Sequence, residues 1–469
     1  MKVYEGSYSS LLEEIRGRQV VVVGLARSGV AAARLLVKLG AARVVVNDHK
    51  PAEALRQELA LLPKSPVLEP VLGGNDPALI GPGVSLVIKS PGVPPDLGML
   101  QRAASMEIPV LSEIELAYAF IKAPIVGITG TNGKTTTTAL TAAILKEARF
   151  HQVFAAGNIG WPLCDLVGKV EATGIVVAEL SSFQLENIRS FRPAVAVVLN
   201  FSQDHLNYHG SLENYFAAKA RILENQGPGD FAVLNAADGA VAELQYRAPG
   251  PLLWFGSGKR VPGVGVEEGW VYLYSPTGER QAVCPVEEIA LPGEHNLENA
   301  LAASAAAWAA GAEAEAIGRT LRRFKAIEHR LEFVASVQGV DFINDSKGTN
   351  PEATIKALRA FPGRRKLLIA GGKDKGSDFR DLARVIKEEV DFLVVLGETA
   401  DRIIREVEEA GFGAYRKVGS LEEAVEEAWR RSRAGDLVLL SPACASWDMF
   451  SSYEERGNRF KELVRQIKP

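Results

Sequence analysis

Cysteine is nearly missing from this chain. The three in 469 residues, Cys164, Cys284 and Cys444, are too few and too scattered for a disulfide framework or a zinc site, which fits a reducing compartment. A long apolar run is missing as well. The least polar stretch, residues 300–312, is alanine-rich and too short to cross a bilayer, so it reads as a packed helix and no membrane span is expected. Residues 1–18 are polar and acidic and lack the apolar core of a signal peptide, so the expected location is cytoplasmic. Charge of one sign is not in excess either. A formal net charge of −4, with acids and bases interspersed, argues against a nucleic-acid surface. Hydrophobic residues make up 47% of the chain, enough for about three domains each with its own core.

The chain is organised around residues 127–136, Gly-Ile-Thr-Gly-Thr-Asn-Gly-Lys-Thr-Thr. An apolar stretch of strand length, 123–128, precedes this segment, and a stretch with helical spacing, 137–149, follows it. In such a strand, turn and helix, Gly130 and Gly133 let successive N–H groups face one point at the positive end of the helix, where a polyphosphate can sit. Lys134 would add charge at the terminal phosphates, and the Thr135 hydroxyl is placed to hold magnesium. The strict phosphate-loop pattern asks for glycine where Ile128 stands, so this is a variant form. The alternative is a glycine-rich turn with a solvated lysine.

Ahead of it, a strand at 19–23 leads into Gly24-Leu25-Ala26-Arg27-Ser28-Gly29, a helix to Leu39 and a second strand at 43–46 ending at Asp48. This opening resembles a dinucleotide fold, but Ala26 replaces the glycine that lets backbone approach a pyrophosphate, which argues against a nicotinamide site. The turn suits another phosphate, such as a nucleotide diphosphate on a substrate, or is a plain α/β turn. Proline and glycine cluster from 63 to 95 and predict loops, with a first boundary near Ser112.

From 113 to about 325, short apolar runs alternate with helical stretches, as in a mostly parallel sheet flanked by helices. Polar residues gather at the expected strand ends, at 179–184 and 200–205, so Glu179 and His205 are candidates to face the phosphate loop. Read singly, Glu179 is equally a strand-end acid in solvent, His205 a structural or exposed histidine and Lys219 a solvated lysine. A hairpin is expected over 269–285. The last segment repeats the alternation, and its strand ends carry the polar runs 345–351, 371–376 and 441–446, which form either turns or a second ligand edge.

Taken in order, these motifs resemble the Mur ligases of peptidoglycan synthesis along the whole chain. The resemblance rests on 130–136, Gly157-Asn158-Ile159-Gly160, 179–184, Asp204-His205, Ala218-Lys219, His329-Arg330, 345–350, 441–446 and Glu455-Arg456-Gly457-Asn458. It implies an α/β fold of three domains: an N-terminal Rossmann-like domain over 1–112 binding the UDP part of the substrate, a central phosphate-loop ATPase-like domain with a mostly parallel sheet over 113–326, and a C-terminal Rossmann-like domain over 327–469 binding amino acid and nucleotide. The implied reaction adds D-glutamate to UDP-N-acetylmuramoyl-L-alanine with ATP and two magnesium ions, through an acyl phosphate, in a monomer. A sibling ligase adding another amino acid, or more remotely a phosphate-loop nucleotide-binding protein, is the alternative.

Residue by residue, the resemblance places Gly130, Thr131, Asn132, Gly133, Lys134, Thr135 and Thr136 on ATP, with Asn299, Arg330 and Asp345. Thr135, Glu179, His205 and a carbamylated Lys219 would hold the metals. Lys134, His205, Lys219 and Lys347 would be catalytic. Ser28, Asp48, Asn158, Ser181 and Gln184 would contact the nucleotide-linked substrate, and Thr349, Lys375, Ser446 and Tyr453, with Lys347, the amino acid. Departures from the family are His49 and Lys50, where threonine and arginine are common, Tyr453 for phenylalanine, and Trp447 for leucine.

Overall fold

The computed structural model describes residues 6–291, 293–324, 328–373 and 376–467. Their strands form three sheets in an α/β fold, and the chain divides into two compact units, Met1–Glu288 with Glu298–Arg322, and Ile289–Leu297 with Arg323–Pro469.

The first unit opens with β1 (Gln19–Val23), β2 (Arg43–Asp48), β3 (Leu68–Leu72), β4 (Val84–Lys89) and β5 (Val110–Ser112), ordered β3-β2-β1-β4-β5 and parallel throughout. In β1 four consecutive valines are buried, as a central parallel strand covered on both faces requires. The strand order reverses between β1 and β4, so a crevice lies outside their carboxyl ends. The proline- and glycine-rich stretch 63–95, expected as loops, instead contains β3 and β4. Pro70 is tolerated because β3 is an edge strand, bonded on one side only.

The unit's second sheet comprises β6 (Ile125–Thr129), β7 (Val153–Gly157), β8 (Ile175–Glu179), β9 (Val195–Val198), β10 (Phe231–Asn235), β11 (Leu252–Ser257), β12 (Gly263–Glu267), β13 (Trp270–Tyr274) and β14 (Arg280–Pro285), ordered β14-β13-β12-β11-β10-β9-β6-β8-β7. It is parallel from β7 to β12. The expected hairpin, β13 with β14, closes one edge antiparallel. Register fixes what the other strands deliver. Ile128 pairs with Glu179, Thr129 with Val198 and Gly157 with Glu179, so the segments after β6, β7, β8 and β9 leave the sheet at one level. Both sheets share a buried cluster that runs through Leu86, Leu111, Ile114, Leu116, Leu163, Leu166 and Val176.

The second unit carries β15 (Glu332–Val337), β16 (Val340–Asn344), β17 (Lys366–Gly371), β18 (Phe392–Leu396), β19 (Tyr415–Lys417) and β20 (Leu437–Leu440), ordered β15-β16-β20-β17-β18-β19 with only β15 antiparallel. Because β16, β20 and β17 are adjacent, the polar runs that follow them lie side by side. The three cysteines are buried, and none forms a disulfide. Among the described residues, no helix is long and apolar enough to cross a membrane.

Glu113, directly after β5, is buried, and its Oε1 accepts the Cys164 N–H at 2.6 Å. Its Oε2 has no hydrogen-bond partner. Burial raises its pKa from 4.5 to about 7, against the lowering effect of the Cys164 N–H. The folded chain therefore holds this proton more tightly than the unfolded one. The stability it contributes is complete below pH 4.5 and is lost as pH rises through about 7. Urea unfolding across that window should show stability falling with pH, and Glu113→Gln should flatten the fall by about 3 kcal/mol.

Candidate functional site

The glycine loop after β6 is shaped by positions where no side chain fits. Gly130 has φ +150°, and a Cβ there would lie 2.8 Å from Leu199 Cβ; Gly133 has φ +85°, with a Cβ 2.1 Å from Asn299 Oδ1. The helix Lys134–Glu147 then begins, three residues earlier than the sequence spacing predicts, and its first turn has no side-chain cap. Its dipole end and the loop N–H groups are the features an anion uses. Asn200, which the sequence analysis gave no role, clasps the loop. Its Oδ1 accepts the Asn132 N–H at 2.8 Å, its Nδ2 donates to the Asn132 carbonyl at 3.1 Å, and its own carbonyl accepts the Thr131 N–H at 3.0 Å. Thr135 and Thr136 are buried, and Asn299 Oδ1 lies 3.4 Å from Thr137 Oγ1.

Lys134 Nζ folds back onto the loop, donating to the carbonyls of Gly130 at 2.9 Å and Thr131 at 2.8 Å. Lys219 Nζ, from the helix Leu212–Ala220, donates to the same Gly130 oxygen at 2.7 Å and lies 4.4 Å from the Tyr215 ring centroid. Read singly in sequence, Lys219 is a solvated lysine; in the structure it is 2% exposed. Burial drives its pKa well below the usual lysine value and the Lys134 charge adds to this, while Asp204 and Glu179 oppose it. Glu179, also 2% exposed, is not the solvated strand-end acid that was its alternative. Its Oε1 accepts Asn158 Nδ2 at 2.9 Å, and its buried Oε2 has no hydrogen-bond partner.

His205 sits at φ +53° with Nε2 3.5 Å from Asp204 Oδ2, its ring edge-on to Phe183. Ser181 and Gln184 close a capping box on the turn after β8, Gln184 Oε1 accepting the Ser181 N–H at 2.9 Å. That turn is further tied by a 2.9 Å contact between Ser182 Oγ and His209 Nε2. Among the described residues, no cluster of three His, Cys, Asp or Glu could hold a metal. The orphaned Glu179 oxygen suits a cation, whereas an ammonium at Lys219 does not. The donor set fits magnesium if Lys219 carries a carboxylate.

At the crevice between β1 and β4 lies a cavity of about 230 Å³, lined by residues that include Gly24, Ala26, Asp48, His49, Lys50 and Ser90. Asp48 is already engaged: Oδ2 accepts the Leu25 N–H at 2.7 Å, and Oδ1 the Lys50 N–H at 3.0 Å. Ser28 is half-buried in the first turn of the helix Arg27–Lys38 and does not line the cavity. Sequence reasoning also missed Lys89, buried at the end of β4. Its Nζ donates to Tyr208 Oη and lies 3.4 Å from Glu186 Oε2, which ties the first sheet to the second.

In the second unit Asp345 is buried, accepts Ser441 Oγ at 2.7 Å, and has its pKa raised to about 6 by burial, against the Arg330 charge. Arg330 Nε is buried without a hydrogen-bond partner. Lys347 Nζ lies 5.2 Å from the Tyr453 ring centroid, Thr349 is half-buried in the same turn, and Ser446 is buried. Lys375 lies outside the described residues.

Residues 128–307 match the Mur ligase middle domain, and residues 329–444 match the Mur ligase glutamate ligase domain. A UDP-N-acetylmuramoylalanine–D-glutamate ligase of Pelotomaculum thermopropionicum is 50% identical over 459 residues, covering 98% of this chain and all of that protein. One from Caldanaerobacter subterraneus subsp. tengcongensis is 44% identical over 458 residues, 97% of this chain and 100% of its own length. In fold, the chain is similar to a UDP-N-acetylmuramate-alanine ligase from Thermotoga maritima, with 21% identity and a TM-score of 0.60 over 96% of this chain and 100% of that one.

The glycine geometry has a direct consequence. Gly133→Ala meets both a left-handed backbone, costing about 1–3 kcal/mol, and the Asn299 side chain, so calorimetry should show a lower melting temperature and nucleotide binding weakened at least tenfold. Binding like that of the parent chain would mean that the loop reshapes freely.

Proposed function

We propose that this chain, which belongs to the Mur ligase family, is an ATP-dependent ligase that joins D-glutamate to UDP-N-acetylmuramoyl-L-alanine in peptidoglycan precursor synthesis. The choice of acceptor is supported by the names its relatives carry. The observation that carries the chemistry is the convergence, at one sheet edge, of the glycine loop, an orphaned carboxylate oxygen on Glu179 and a buried Lys219 poised toward the neutral amine.

A carboxylate does not react with an amine at neutral pH until it is activated. The loop N–H groups and Lys134 bind and orient the triphosphate, and the γ-phosphoryl passes to the carboxylate of the alanyl substrate, leaving ADP. The D-glutamate amine then attacks the acyl phosphate carbonyl, and phosphate leaves as the amide forms. Magnesium, when bound, neutralises phosphate charge; Thr135, Glu179, His205 and a modified Lys219 are the residues that would hold two ions. The cavity at Gly24 and Asp48 suits the uridine diphosphate, with Ser28 nearby, while Asn158, Ser181 and Gln184 border the muramoyl group. Asn299, Arg330 and Asp345 contact the nucleotide. Lys347, Thr349, Ser446, Tyr453 and Lys375 take the acceptor, whose two carboxylates call for cations and hydroxyls.

Carbamylation of Lys219 follows from its burial. A neutral amine adds to the carbon of CO2, an N–C bond forms and one proton leaves, so an ill-placed cation becomes an anionic oxygen ligand. The local helix favours this, since the Tyr215 ring lies 4.4 Å from the amine and Lys219 is buried with its neighbours Ala218 and Ala220.

Three measurements test the reading. Phosphate release from ATP with UDP-N-acetylmuramoyl-L-alanine should be driven by D-glutamate in preference to L-alanine or a diamino acid; the reverse order would assign the chain to a sibling reaction. Lys134→Ala should release no detectable phosphate while its circular dichroism melt stays unchanged. Lys219→Ala should lose nearly all turnover and regain part of it in millimolar acetate, whereas Lys219→Arg should stay inactive in acetate. A Lys219→Ala enzyme with full activity would rule out a role for this side chain.

A further inference from the structure

In the second unit, the runs after β16, β17 and β20 meet one side chain from the helix Tyr453–Gln466, Arg456. It is 3% exposed. Its Nε donates to Ser346 Oγ at 3.0 Å, its Nη2 to the carbonyls of Ser346 at 2.8 Å and Cys444 at 3.2 Å, and its Nη1 to the carbonyls of Cys444 and Ala445, both at 3.3 Å. Ser346 Oγ passes the connection on, donating to the Tyr453 carbonyl at 2.8 Å. The third run packs against the same group, since a Cβ on Gly372 would stand 3.3 Å from Arg456 Nη1. The residues it bonds lie within two positions of the acceptor group or belong to it: Ser346 precedes Lys347, Cys444 and Ala445 precede Ser446, and Tyr453, reached through Ser346, carries the ring beneath Lys347.

All five hydrogen bonds end on neutral oxygens, and among the described residues Arg456 forms no ion pair. Burial lowers its pKa to about 10, so it stays charged at neutral pH, with Asp448 and Asp345 favouring the cation from a distance. A planar fork with donors in fixed directions can hold several carbonyls at once. A lysine, which is a single point of charge, cannot.

We propose that Arg456 is the positioning residue of the acceptor pocket. Its guanidinium locks together the backbone that presents Lys347, Thr349, Ser446 and Tyr453, and its buried charge biases that pocket toward an acidic acceptor. This rests on the assignment of those residues to the amino-acid acceptor made above.

The test compares Arg456→Lys, Arg456→Met, Arg456→Ala and Ser346→Ala with the parent enzyme, measuring kcat and KM for each of the three substrates. The Lys and Met variants should raise KM for D-glutamate roughly ten- to a hundredfold, the loss expected when charged hydrogen bonds are removed, while KM for UDP-N-acetylmuramoyl-L-alanine stays within about twofold. In Arg456→Ala, millimolar guanidinium ion should restore the acceptor KM toward the parent value, which a merely structural role would not allow. An unchanged acceptor KM in the Lys or Met variant overturns the proposal, as does a fall in all parameters together with no rescue. Should Arg456→Ala fail to fold, Ser346→Ala removes the hydroxyl that joins Arg456 Nε to the Tyr453 carbonyl and leaves the other four hydrogen bonds of the guanidinium in place. It should raise the acceptor KM several-fold, and no change there also overturns the proposal. The parent enzyme is run in parallel against the amino-acid panel. If it prefers another amino acid, the D-glutamate assignment fails, and the Arg456 variants are then read on the KM of the preferred acceptor.

Discussion

Two ammonium groups, those of Lys134 and Lys219, end on the single carbonyl oxygen of Gly130. Like charges that close repel, and only one of the two has access to solvent to relieve the strain. Burial first, and then the Lys134 charge, make the buried partner yield its proton more readily, and the charge that Lys134 keeps beside the loop N–H groups suits a polyanion. The loop geometry, the nucleotide site and the unusual chemistry assigned to Lys219 thus depend on one crowded acceptor. Gly130 can present that acceptor because it adopts a backbone angle that side-chain-bearing residues avoid.

Both units stabilise their functional edges in the same way. Loops at the carboxyl ends of parallel strands have no ladder to satisfy their backbone, so buried polar side chains supply the missing partners. Asn200 does this for the glycine loop through both ends of its amide, and Arg456 does it for the runs after β16 and β20.

Local chemistry made the glycine loop legible in sequence, because Gly130, Gly133 and Lys134 define a strand, turn and helix within a few residues. The order of motifs along the whole chain carried the fold class. What stayed hidden depended on distance along the chain. Lys219 looks solvated among its alanines because its burial comes from a loop 89 residues earlier, and Arg456 reaches a serine 110 residues away. Asn200 grips a segment 68 residues before it. The stretch 63–95 misled for another reason: Pro70 reads as a breaker, and only pairing on one side makes it compatible with β3.

Cys444 belongs to the loop that Arg456 holds. Its carbonyl is bound by the guanidinium, while its sulfur lies 3.1 Å from Thr399 Oγ1 and the residue is 3% exposed. A thiol reagent can reach that sulfur only when the loop lifts away from its anchor. The chain therefore carries its own chemical clock. The rate at which Cys444 is alkylated reports the opening of this loop without any label being added.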